Sequence, residues 1–77
     1  MDTLASAFRR LAERDGVGGL ASSYAAGRFG LRHLPPGLEQ EPIPTSEPCA
    51  EAIGERYGVP GWALWLLVEE YEEQTPT

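Results

Sequence analysis

The chain has 77 residues, 42% of them hydrophobic, and a formal net charge of −6. That length allows a single domain with a modest core, and such a core is marginal without disulfides, metals or partners. Cys49 is the only cysteine, which excludes an internal disulfide, and Cys49 with His33 is too small a ligand set for a structural zinc site.

The charge is unevenly placed. Residues 1–33 carry five arginines against three acids, whereas residues 34–77 carry one arginine against nine glutamates. Asymmetry of this kind bears on association rather than fold. An acidic C-terminal half repels nucleic acid and attracts basic surfaces. The first residues lack the apolar stretch of a signal peptide. The longest apolar run, 62–68, is far short of the ~20 residues that span a bilayer. The expectation is a soluble cytoplasmic chain with no membrane partner and no direct nucleic-acid binding.

Three segments follow from composition: a helical segment at 1–33, a Pro-rich connector at 34–48, and an acidic helical hairpin at 49–77. Within the first, Leu4, Phe8 and Leu11 recur at helical spacing, with Ala5 and Ala12 beside them. Helix is predicted over 3–14, with Asp2 as its N-cap and Gly16 as its stop. Arg9, Arg10 and Glu13 fall on the opposite, solvated side. Gly16, Gly18 and Gly19 make a turn, and no phosphate-loop pattern surrounds them. A short second helix is predicted over 20–27, rich in small residues and ended by Gly27 and Gly30. Phe29, Leu31 and Leu34 are apolar anchors beyond it.

Pro35, Pro36, Pro42, Pro44 and Pro48 make the connector extended. Its length marks it as either a disordered hinge or a strap laid over a surface. Ser46 is the predicted N-cap of a helix over 48–57, with Glu47 and Glu51 near its positive end. Gly58 is its stop. Cys49 is read as a small buried apolar residue.

The densest apolar run follows. Pro60 suits a helix start, and helix is predicted over 60–73. Leu64, Leu67, Val68 and Tyr71 share one face, while Trp62, Trp65, Leu66 and Glu69 share another. A helix apolar on two faces needs two covers. A chain this small supplies one, so the second face is predicted to meet a partner or a copy of the chain. On this reading Trp65→Ala acts on association more than on folding. Glu69, Glu70, Glu72 and Glu73 crowd the helix C-terminus, where negative charge opposes the macrodipole. A cationic partner, or the arginines of residues 9–32, would relieve them.

Residues 50–70 resemble the helix-turn-helix pattern: Ile53, Gly54, Tyr57, Gly58 and Val59, then Leu64 and Leu67, stand at its packing and turn positions. The resemblance implies two packed helices. The positions that would enter a major groove hold Pro60, Gly61, Trp62, Trp65, Leu66 and Glu69, which offer no side chain to read base edges. Glu55–Pro60 and Leu66–Glu70 are also faintly similar to the opening of lytic transglycosylase catalytic domains. No Ser-Gly follows Glu69 or Glu70, and no acid–base, nucleophile or cofactor constellation can be assembled.

The expected fold is all-α, three to four short helices with a Pro-rich connector. The expected function is that of a non-enzymatic interaction module without cofactor or metal. Its binding residues would be Trp62, Trp65, Leu66, Glu69, Glu70, Glu72 and Glu73. Its partner would be a protein with a basic or apolar groove, or a second copy in a homo-oligomer. Short acidic chains of this kind resemble phage and mobile-element accessory factors such as assembly chaperones and inhibitors. The alternative is a transcription-linked regulator with a helix-turn-helix-like fold.

Overall fold

Amphipathic periodicity and glycine punctuation resolve into four α-helices: α1 (Leu4–Arg14), α2 (Ala21–Arg28), α3 (Glu47–Tyr57) and α4 (Gly61–Gln74). This computed structural model describes residues 2–17 and 19–74; Gly18, part of the predicted glycine turn, lies outside them. Among the described residues the fold is all-α, with one isolated bridge between Thr3 and Pro42.

The core is the intersection of three apolar faces. Leu4, Phe8 and Leu11 from α1 meet Leu64, Leu67 and Val68 from α4, and all six are essentially inaccessible to solvent. Burying each such side chain is worth about 1.5–3 kcal/mol. Ala25 and Ala26 let α2 approach α1 closely, and Phe29 at its end meets Phe8 edge-to-face at 6.2 Å. Leu31 and Leu34 pack half-buried against the same cluster.

Helix ends follow backbone chemistry. Gly58 adopts φ 74°, where a glycine has no Cβ to clash, and the Val59 N–H reaches back to the Gly54 carbonyl. The same six-residue closure ends α1 (Val17 N–H to the Ala12 carbonyl) and α2 (Leu31 N–H to the Ala26 carbonyl). The α2 closure passes over Gly27, which lies inside the helix rather than ending it. Ser46 caps α3 by accepting the Cys49 N–H at 3.4 Å. Pro60 stands just ahead of α4, and its carbonyl accepts the N–H groups of Ala63 and Leu64.

Gly54 and Gly61 bring α3 and α4 together. A Cβ on Gly54 would lie 2.5 Å from the Val59 carbonyl oxygen, and one on Gly61 would lie 2.7 Å from the Glu51 Cα. Only glycine permits backbones this close.

The Pro-rich connector is a strap. Leu38, in a 3-10 turn at Leu38–Gln40, is fully buried, and Pro44 is buried as well. The strap also corrects one predicted cap. Thr3 takes the N-cap position in extended conformation, and the Leu4 N–H is held by the Glu41 carbonyl at 2.9 Å. Asp2 instead accepts a hydrogen bond from the Tyr71 hydroxyl at 3.3 Å.

Candidate functional site

Helix α4 carries the candidate binding residues on two edges with different surroundings. The edge toward α1 and α2 is closed by ions. Glu70 accepts from Arg14 Nη2 at 2.9 Å and from Arg28 through both terminal guanidinium nitrogens, Nη1 and Nη2. Arg14 also forks onto the Asp15 carboxylate at 2.8 and 3.0 Å. The Tyr24 hydroxyl donates to Asp15 at 2.5 Å and accepts from Arg28 at 2.8 Å, joining the two halves of the cluster.

These contacts set the titration. The hydrogen bonds from Arg14, then from Tyr24, hold the Asp15 carboxyl down at about 2. Arg28 chiefly, with Arg14, holds Glu70 below the usual carboxylate range against a desolvation penalty. Tyr24 is raised, first by desolvation and then by its bond to Asp15. A second lock joins the strap to α3, where Glu41 accepts from Arg56 at 2.9 Å and from the Tyr57 hydroxyl at 2.5 Å. That bond, more than burial, raises the Tyr57 hydroxyl.

The other edge is open. Trp62 is 69% exposed and Leu66, one turn on, is 46% exposed. Trp65 is half-buried and packs against the core. Trp65 therefore joins the fold, and the exposed aromatic anchor is Trp62. Glu69, Glu72 and Glu73 continue the open edge and are exposed. Together with Trp65 and Thr45 they line a groove of about 430 Å³.

On the far side of Thr45 lies a second groove of about 500 Å³. Pro42, Ile43 and Pro44 of the strap form one wall, and Cys49, Ala52 and Ile53 of α3 form the other. Cys49 is exposed here, not buried as the sequence suggested. It sits in the first turn of α3, at the edge the strap leaves uncovered. Among the described residues no three His, Cys, Asp or Glu side chains converge on a metal-sized site. No helix among them is long and apolar enough to cross a membrane.

The structure thus brings Trp62, Leu66, Glu69, Glu72 and Glu73 to one edge with Trp65 beneath it, and turns Glu70 to the other. Sequence reasoning missed Thr45 and the strap groove, because which face a proline-rich segment covers is decided by packing. It also missed Asp15 and Tyr24, whose meeting depends on how α2 docks. Searches for a matching family model, curated protein or solved structure found no match for this chain.

Proposed function

We propose that this chain is a non-enzymatic helical interaction module that docks on a protein partner through the outer edge of α4. Trp62 and Leu66 are its apolar anchors, Trp65 is the floor beneath them, and Glu69, Glu72 and Glu73 form an acidic margin. One observation carries the reading. The core closes with Leu64, Leu67 and Val68 fully buried, yet Trp62 remains 69% exposed beside an exposed Leu66. A large indole next to another apolar side chain is the usual composition of an interface anchor. Glu70, occupied by Arg14 and Arg28, takes a structural role instead.

The test is capture from the native host with two baits of equal melting temperature, wild type and the double variant Trp62→Ala/Leu66→Ala. Partners retained by wild type and lost by the variant are expected. Identical capture by both would overturn the reading. Sedimentation of the wild-type chain separates a foreign partner from a second copy.

A second reading, a transcription-linked regulator, is favoured by the tight α3–α4 contact at Gly54 and Gly61. In that role the chain acts on a DNA-binding protein by presenting an acidic surface, because the outer edge of α4 offers no side chain suited to base edges. Loss of a promoter-bound factor from DNA on adding the chain tests it, and an unchanged complex rejects it.

A further inference from the structure

Two carboxylates on the open edge of α4, Glu69 and Glu73, are exposed near the end of the helix. Glu69 and Glu73 form no ion pair among the described residues. Four of the arginines are committed elsewhere: Arg14 and Arg28 to Glu70, Arg56 to Glu41, and Arg10 to the Gln74 carbonyl. The last turn of α4 contains no basic residue. Among the described residues these carboxylates therefore stand unneutralised toward the negative end of a helix, where a cation is favoured. They line the same groove as the Trp65 side chain, and an aromatic ring next to carboxylates suits a guanidinium or ammonium group. One to two turns earlier on the helix the surface is apolar, at Trp62 and Leu66.

We infer that this face takes a basic amphipathic segment of a partner protein. An apolar side chain of the segment seats on Trp62 and Leu66. An arginine or lysine about 5–10 Å further along enters the groove between Trp65 and the carboxylates of Glu69 and Glu73. The inference rests on the interaction-module reading above and names its partner class. Charge decides between occupants: a second copy brings another net charge of −6 to an acidic edge, and nucleic acid or an anionic membrane is repelled in the same way. A cationic segment alone gains from both halves of the face.

The test is selection from a random 16-residue peptide library against the full chain at low salt, beside an unrelated acidic protein as control. Wild type is expected to enrich peptides that pair an aliphatic or aromatic residue with arginine or lysine. Their binding should weaken roughly tenfold or more in Glu69→Gln/Glu73→Gln and as salt is raised, as for steered charge pairs. Trp62→Ala should remove the apolar preference. Circular dichroism melts of each variant establish that it is folded.

The failures are distinguishable. Peptides enriched without basic residues, or indifferent to Glu69→Gln/Glu73→Gln, overturn the cationic partner and leave the docking face standing. Enrichment that survives Trp62→Ala/Leu66→Ala overturns the face itself. No enrichment above the control, with a wild-type chain that sediments as a dimer strengthened by salt, replaces the cationic segment with a second copy. No enrichment with a monomeric chain overturns both.

Discussion

The two edges of α4 carry the same residue type within one turn of each other and meet opposite fates. Glu70 is half-buried and held by two arginines from two other helices. Glu69 and Glu73 face outward beside Trp62, Trp65 and Leu66, with no ion pair to another described residue. The inner edge is a structural joint and the outer edge is a surface. The number of charges at a helix end therefore says little about their use. What separates the two roles is which neighbours the remaining helices deliver, and that is a tertiary fact.

Substitutions on the two sides of α4 should separate by size. Leu64→Ala, on the buried face, is expected to cost about 2–5 kcal/mol of stability, through lost burial and the cavity left behind. Urea denaturation monitored by far-ultraviolet circular dichroism measures it. If Leu64→Ala melts like wild type, the core is drawn wrongly and the contrast between the edges has no basis.

Gly54→Ala tests the same inner packing by adding rather than removing atoms. The new methyl would sit 2.5 Å from the Val59 carbonyl oxygen and 3.0 Å from the Gly61 nitrogen, both backbone atoms that cannot swing aside. A loss of about 1–3 kcal/mol is expected, the usual cost of overpacking. A neutral or stabilising result would mean that α3 and α4 separate more easily than their contact implies.

Glu70→Gln attacks the joint itself. It removes the common acceptor of Arg14 and Arg28 in a partly solvated setting, and about 1 kcal/mol is expected at low salt. Glu69→Gln, on the open edge, should leave the melting temperature unchanged or raise it slightly. Acid probes the same joint. Glu70 and Asp15 have folded pKa values below their unfolded ones, so their stabilisation is complete above the unfolded carboxylate range. It is lost as the pH falls through the folded values, down to about 2 for Asp15. Wild type should lose stability across that acid window, and Glu70→Gln should lose less of it. Parallel acid curves for the two proteins would argue against the joint.

The smallest effect on stability belongs to Trp62→Ala, within about 0.5 kcal/mol, because its side chain is already in solvent. Trp65→Ala should fall between Trp62→Ala and Leu64→Ala, since its ring packs partly on the core. Quenching by iodide or acrylamide sharpens the same contrast: one accessible indole and one shielded indole are expected. Two equally shielded indoles would erase the difference between the edges.

The helices were legible because their signals are local. Ser46 and Gly58 bracket α3 by hydrogen bonds within a few residues, and Leu4, Phe8 and Leu11 declare their face by spacing alone. The errors share a different cause. Asp2 reads as a cap until the Glu41 carbonyl takes the Leu4 N–H, and Cys49 reads as buried until the strap is seen to stop short of it. Trp62 and Trp65 sit on the same second face of a helical wheel. Only the packing of the remaining chain, with Thr45 of the strap beside Trp65, tells which indole is sheltered. Likewise, the arginines of residues 9–32 were candidates to neutralise the glutamate cluster. That Glu70 receives two of them follows from the docking of α1 on α4 and of α2 on α1.

The bridge between Thr3 and Pro42 has a temporal consequence. Helix α1 precedes the other helices in the chain, yet the acceptor for its Leu4 N–H belongs to Glu41, and the side chains that cover Leu4, Phe8 and Leu11 include those of residues 64–68. An isolated helix of 11 residues is marginal in water. During translation Leu4 therefore lacks its N–H acceptor until the strap is made, and the apolar stripe of α1 lacks part of its cover until α4 is made. The α1–α2 pair can meet early, through Phe8 and Phe29, but the core closes only when α4 arrives to complete it.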